Sequence, residues 1–142
     1  MPKRSASTRS LVAALPILVL AGVWLAPGAL AKITFNTIDT TGTISDHGRR
    51  LVLTGPLACD KVQLVDLRVT VTQRETGALA EGCVRFIGTP EQQTWMLEAQ
   101  TKGRNTFQAG AARAVALAAT SLHGRTDDAH QWLVDLTLEE EK

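Results

Sequence analysis

Few residues in this sequence could perform catalysis. The serines and histidines after residue 31 are Ser45, Ser121, His47, His123 and His130. A serine hydrolase needs a serine, a histidine and an acid that converge, and no Gly-x-Ser-x-Gly elbow is present. Ser121 and His123 would share one face of a strand, but they run into Gly124, which is typical of a polar strand end that enters a turn. We therefore predict no catalytic residues.

A metal site is the other chemistry that the residue types allow. Asp127-Asp128-Ala129-His130, joined by Asp46-His47 from another loop, would offer carboxylate and imidazole ligands. Neither group has the spacing of a calcium loop or of a zinc-binding histidine pair, and both have ordinary loop composition. We predict no metal and no cofactor. A small secreted hydrolase or metal-binding domain that uses these loop Asp/His residues remains the alternative function.

The N-terminal segment has the layout of a secretory signal peptide. An apolar run at residues 11–26 follows a short basic stretch that contains Lys3, Arg4 and Arg9. Pro27-Gly28 ends any helix there, and Ala29-Leu30-Ala31 places small side chains one and three residues before a cut. The sequence therefore predicts that residues 1–31 are a signal peptide that forms an N-terminal helix.

We predict that cleavage falls between Ala31 and Lys32 and leaves one domain, residues 32–142, that is secreted or periplasmic. An uncleaved membrane anchor is the alternative, because residues 10–31 carry no charge and are long enough to cross a bilayer. The domain would meet a membrane only through this segment if it stayed uncleaved.

Charge argues against nucleic acid as a partner. Residues 32–142 hold 12 Lys and Arg against 14 Asp and Glu, a net charge of −2, and their longest basic cluster is Arg49-Arg50. Phosphate binding needs a basic face, which this composition does not supply. The partner we expect is an unidentified protein or a component of the cell envelope.

The two cysteines are predicted to pair. An exported chain meets an oxidising compartment, and Cys59 and Cys83 are the only cysteines in the sequence. Neither has a Cys-x-x-Cys partner or a histidine at ligand spacing, which disfavours a redox motif or a metal site. We therefore predict a Cys59–Cys83 disulfide bridge.

Period-2 alternation dominates the mature chain and predicts strands. The last segment places His130, Trp132, Val134, Leu136 and Leu138 on one face, and residues 64–73 do the same with Leu67, Val69 and Val71. A change of phase upstream predicts a β-bulge near Leu64-Val65. Further strands are expected at residues 33–37, 50–54, 78–87 and 93–100.

Residues 109–120 fit two structures. Their alanines favour a helix by intrinsic propensity, whereas Val115, Leu117 and Ala119 fit one face of a strand with small alanines opposite. We predict a strand, because strands flank the segment on both sides. About seven short strands separated by turns predict an all-β fold, an antiparallel immunoglobulin-like sandwich.

Five short motifs combine core, turn and cysteine positions: Leu57-Ala58-Cys59-Asp60, Gly82-Cys83, Gln93-Thr94-Trp95, Phe107-x-x-Gly110-x-Ala112, and Gln131-Trp132 through Leu138. Together they resemble small exported bacterial proteins of the immunoglobulin-type sandwich class, over most of residues 43–138. In antibody domains a tryptophan lies between the bridged cysteines, whereas both Trp95 and Trp132 follow Cys83 here. The resemblance implies a fold and carries no activity.

The two tryptophans of the sheet, Trp95 and Trp132, would form a sugar-binding platform only if both rings were exposed. Their neighbours in phase are apolar, so we predict that they lie in the core. The function that these observations favour is an exported, non-catalytic β-sandwich with a binding or structural role in the cell envelope or secreted fraction.

Overall fold

The computed structural model of the chain describes residues 33–142, so the predicted signal helix and the junction of Ala31 and Lys32 lie outside the described residues. The described part contains eight strands and a short 3-10 turn at Asp46–Gly48. The strands are β1 Ile33–Asn36, β2 Thr41–Ser45, β3 Arg50–Cys59, β4 Gln63–Gln73, β5 Ala78–Gly88, β6 Gln93–Thr101, β7 Gly110–Leu122 and β8 Arg125–Glu140. None of the helical structure in residues 33–142 is long and apolar enough to span a membrane.

Seven of these strands close into a barrel in the order β2-β8-β7-β4-β5-β6-β3, and β3 pairs back to β2. β1 adds to the end of β3, beyond the three residues that β3 shares with β2. The prediction of an antiparallel immunoglobulin-like sandwich is therefore wrong, although the all-β class is right. The physical reason is β2, which was not expected as a strand. Its residues 41–44 pair in parallel with residues 137–140 of β8 and so join the two sides.

The opposite junction of the barrel is short. β5 and β6 share only two residue pairs, Ala80 with Thr101 and Glu81 with Gln100. At Gly82 the backbone of β5 passes so close to β6 that a Cβ atom would overlap the carbonyl oxygen of Glu98. Glycine is the residue that permits this approach, which lets β5 cross over β6 and close the barrel.

Alternation along the strands fills the barrel interior. The inner face of β4 carries large aliphatic side chains, and the inner face of β7 carries mainly alanines; the buried residues are Val65, Leu67, Val69, Val71, Ala112, Ala114, Ala116, Ala118 and Thr120. Each fully buried aliphatic side chain stabilises the fold by about 1.5–3 kcal/mol. The strand predicted at residues 109–120 is confirmed, since these residues lie almost entirely in β7. Its inward alanines leave interior volume for larger side chains from other strands.

The register of β4 contains no bulge at Leu64-Val65. Both residues pair in continuous order with Ile87 and Phe86 of β5, so that prediction is wrong. The phase change arises because Val62 precedes the strand and is exposed in the turn before it.

The buried side-chain amide of Gln73 forms hydrogen bonds that stabilise one end of the barrel. Gln73, at the end of β4, is 2% exposed, and its Nε2 donates to the carbonyl oxygens of Gln108 and Ala111 at 2.8 and 3.3 Å. Its Oε1 accepts from the Gln108 N–H at 2.9 Å and from the Thr76 hydroxyl at 3.0 Å. These bonds hold the loop between β6 and β7 against this end, where Phe107 is buried.

Cys59 and Cys83 are both free thiols, so the predicted disulfide bridge is not formed. Cys59 is buried at the end of β3, where its Sγ lies against Gly88. Cys83 is exposed on the outer face of β5, five residues before Gly88, which places it roughly 16 Å away along the strand. A bridge needs Cα atoms within about 7 Å and Cβ atoms that point toward each other. Their positions on opposite faces of the wall meet neither condition.

Candidate functional site

The outer face of β5, β4, β7 and β8 is an ordered grid of side chains. The four strands pair in register, so that residues that point outward form rows across the sheet. One row is Cys83, Arg68, Leu117 and Gln131; the next is Glu81, Thr70, Val115 and Leu133; the third is Leu79, Thr72, Arg113 and Asp135. We call these three rows, with Arg74 and Ala111 beyond them, the outer face.

The larger side chains of β7 point outward. Leu117 is 44% exposed and Val115 is half-buried on the outer face, while the inner face of the same strand carries the small alanines. Leu133 of β8, directly opposite Val115, is 54% exposed. Burial of apolar area would favour the reverse orientation, so the strand presents apolar surface to the exterior.

The other side of the barrel differs in character. The outward residues of β3 and β6 there are mostly polar, namely Arg50, Val52, Thr54, Pro56, Thr94, Met96, Glu98 and Gln100. Met96 is the only large hydrophobic residue among them that is strongly exposed, at 63%. Val115 and Leu133 thus adjoin across β7 and β8, and Leu64 and Ile87 adjoin in the same way across β4 and β5, whereas Met96 has no such partner directly opposite it on β3.

Two depressions lie end to end along β4 and β7. One has a volume of about 640 Å³ and is lined by residues that include Arg68, Thr70, Val115 and Leu117. The other has a volume of about 580 Å³ and is lined by residues that include Thr72, Arg74, Ala111 and Arg113. The residues that line them include the short side chains of Thr70, Thr72 and Ala111 and the long side chains of Arg68, Arg74 and Arg113. We call the two depressions together the trough.

Several charges on this side are already paired. Arg113 Nε lies 2.8 Å from Asp135 Oδ1, and this hydrogen bond lowers the pKa of the Asp135 carboxyl and raises the pKa of the Arg113 guanidinium. Arg85 binds Asp66 at 2.9 Å, and Arg68 approaches the same carboxylate at 3.8 Å.

The charges on this side of the barrel, paired and unpaired together, are mainly positive. Five basic residues line the outer face or its margin against three acids: Arg68, Arg74, Arg85, Lys102 and Arg113 against Asp66, Glu81 and Asp135. Residues 33–142 as a whole hold 11 Lys and Arg against 14 Asp and Glu. The outer face has a net charge of +1, and together with Lys102, Arg85 and Asp66 at its margin it has a net charge of +2, on a domain of net charge −3.

The Asp/His residues considered for a metal or hydrolase site do not assemble. His130 Nε2 lies 2.9 Å from Asp128 Oδ2 on β8, and Asp127 pairs with Lys61 at 3.6 Å. Asp46 and His47 lie beyond β2, beside the far end of β8, about 40 Å away along that strand. Within residues 33–142 no group of three or more His, Cys, Asp or Glu side chains could hold a metal ion.

Ser121 and His123 lie at the turn end of the β7–β8 hairpin, which also carries Asp127 and Asp128. Ser121 ends the β7 ladder opposite Thr126, and His123 occupies the turn to β8 with a φ of +50°. Within residues 33–142 neither serine is hydrogen-bonded to His47, His123 or His130, so these side chains form no triad there.

Both tryptophans face the interior. Trp95 is 3% exposed and lies over Gly55, where a Cβ would come within 2.6 Å of the indole ring. Trp132 lies opposite Ala116 and packs partly buried against the core. The predicted core positions are confirmed in orientation, and the two rings form no exposed platform.

Sequence reasoning missed the outer face. The alternation of β7 separates two faces but does not say which one is inside, because both carry apolar residues. A usable signal existed in β8, where Leu133 breaks an otherwise polar outward series of Gln131, Asp135 and Thr137. Compared with family models and with curated proteins, the sequence matches none of them.

Proposed function

We propose that this chain is an exported, non-catalytic binding domain that recognises a partner protein or envelope component through the outer face of β4, β7 and β8. The observation that supports the proposal best is the orientation of β7, which turns Val115 and Leu117 outward and the alanines between residues 112 and 118 inward. The layout of residues 1–31 supports export.

The pattern of the outer face is that of an interface. Val115 lies inside the grid with Leu117 and Leu133 next to it, while Arg68, Gln131 and Asp135 border them with polar and charged groups. Protein interfaces commonly have an apolar centre within a polar rim that excludes water. The centre would contribute binding energy by burial, and the rim would select the partner.

The outer face is also large enough to form most of one side of a protein–protein interface. Four strands about 4.8 Å apart give a width of roughly 19 Å, and the three rows with the position of Arg74 and Ala111 beyond them, about 6.7 Å apart, give a length of roughly 27 Å. Their product, about 510 Å², is a projected area, and side chains enlarge it. A specific interface buries about 800 Å² on each partner. The outer face can therefore supply most of one interface.

The test is partner capture by matched variants. Immobilised residues 32–142 are exposed to the exported fraction of the source cells, and bound proteins are quantified by mass spectrometry. The Leu117→Ser and Leu133→Ser double variant should lose the protein that the parent chain enriches. Met96→Ser is the control, since it removes an exposed apolar side chain from the other side of the barrel.

Circular dichroism checks that each variant is folded. Retention of the same partner by the Leu117/Leu133 double variant, or its loss from Met96→Ser alone, would contradict the proposal.

A further inference from the structure

We infer that the partner binds as an extended, acidic segment with apolar side chains, and that this segment lies lengthwise in the trough. The inference rests on the proposed function and specifies the chemistry of the partner. Three features of the trough support it: its length, its charge and its apolar side chains.

The trough has the dimensions of an extended peptide. It follows β4 from Arg68 to Arg74, a distance of about 20 Å at the rise of a strand. A segment of about six residues in extended conformation has the same length. Its side chains on one face would repeat every 6.7 Å or so, which is also the spacing of the rows on the sheet.

The charge of the trough favours carboxylates. Arg74 and Lys102 line it and form no ion pair within residues 33–142. Arg68 has only the 3.8 Å approach to Asp66, and its side chain is 73% exposed. Carboxylates from a partner would add charge-assisted hydrogen bonds to these cations, which arginine forms in a bidentate manner.

Apolar contacts complete the recognition. Val115 and Leu117 line one part of the trough, and Leu133 adjoins Val115 on its border. A segment that alternates acidic and apolar side chains would place its apolar groups against these residues and its carboxylates toward the basic ones.

Charge disfavours the two other macromolecular occupants. A second copy of the chain would bring two faces of net positive charge together. Nucleic acid would meet Glu81 and Asp135 on the face and a net charge of −3 on the described domain. An acidic protein segment meets the same two acids, but unlike a phosphate backbone it can place apolar side chains against Val115, Leu117 and Leu133.

The test measures binding of defined peptides by fluorescence anisotropy to residues 32–142. One labelled peptide of about eight residues alternates Glu and Leu, a second alternates Lys and Leu, and a third alternates Glu and Ser. We expect binding of the Glu-Leu peptide only, and an affinity that falls as salt is raised, because the ion pairs lie at the surface.

Variants locate the site. Arg68→Gln combined with Arg74→Gln should weaken binding of the Glu-Leu peptide by about tenfold or more, which corresponds to about 1.4 kcal/mol or more. Leu117→Ser should weaken it as well. Arg125→Gln is the matched control, because Arg125 is an exposed arginine at the first residue of β8, away from the trough. This variant should leave the affinity unchanged.

Four outcomes would overturn the inference: equal binding of the Lys-Leu peptide, no binding of the Glu-Leu peptide, unchanged affinity in the Arg68/Arg74 variant, or concentration-dependent dimers in sedimentation velocity. Displacement of the peptide by dodecanoate at equal concentration would also overturn it, in favour of a free amphiphile. Partner capture that depends on Leu117 and Leu133 while these peptide tests fail would leave the proposed function intact. Loss of that dependence would reject the function itself.

Discussion

Replacement of Gln73 by Leu tests how the end of the barrel is fastened. The change keeps a side chain of similar size at a position that is 2% exposed, so little packing volume is lost. It removes all four hydrogen bonds that the amide forms with Thr76, Gln108 and Ala111. The effect should therefore report on those bonds rather than on a cavity.

The expected magnitude follows from the bonds. A typical intramolecular hydrogen bond stabilises a protein by a net amount of about 1 kcal/mol, and a buried group left without a partner costs about 1–3 kcal/mol. Thr76 is half-buried and Gln108 is exposed, so part of the loss is recovered when they bind water. We expect Gln73→Leu to lower the free energy of unfolding by about 2–4 kcal/mol, a large part of the 5–15 kcal/mol of an ordinary domain.

The assay is urea denaturation followed by tryptophan fluorescence, which reports on the buried Trp95. Gln100→Leu is the control, because Gln100 is exposed and points outward from β6. It should change stability by less than about 0.5 kcal/mol. A Gln73→Leu protein as stable as the parent would refute the assignment of this amide as the fastening of the loop.

Three further predictions concern the thiols, the core and the N-terminus. In native protein a thiol reagent should modify Cys83 quickly and Cys59 only on unfolding. Two unreactive thiols would contradict this. Burial raises the pKa of the Cys59 thiol, so the stability that this thiol contributes is present below the ordinary thiol pKa of about 8.5 and is lost as pH rises. The Cys59→Ala variant should lack this pH-dependent loss. Trp132→Ala should lower the free energy of unfolding by about 3 kcal/mol in urea denaturation, whereas Gln131→Ala should stay within about 0.5 kcal/mol, and equal effects would contradict the inward orientation of Trp132. Intact mass of the exported protein should correspond to a chain that begins at Lys32, and recovery of only the full-length chain in membranes would favour the anchor.

Local pattern predicted the strands well, because a half-buried strand shows itself through alternation. The alternation of β8 and β4 predicted correctly which residues share a face, and flanking strands resolved the alanine-rich β7. The turn residue Gly77 has the positive φ that glycine adopts readily, and its turn separates β4 from β5.

Long-range pairing was beyond local pattern. β2, with the sequence Thr-Gly-Thr-Ile-Ser, is too short and too polar to stand out, yet its parallel pairing with β8 determines that the sheet closes. The disulfide prediction failed for a related reason: the redox argument concerns the compartment, whereas the distance between Cys59 and Cys83 depends on which strands meet. The outer face could not be predicted for the same reason, because its prediction requires knowing which side of β7 faces the interior.

The most direct test of the account is a hydroxyl-radical footprint of the protein in its native assembly. Side-chain oxidation is measured by mass spectrometry for the purified domain and for the same protein in its source fraction. We predict that Leu117 and Leu133 are protected in the source fraction while Met96, on the other side of the barrel, is oxidised to the same extent in both. Equal oxidation of Leu117 and Leu133 in the two samples, or protection of Met96 alone, would contradict the account.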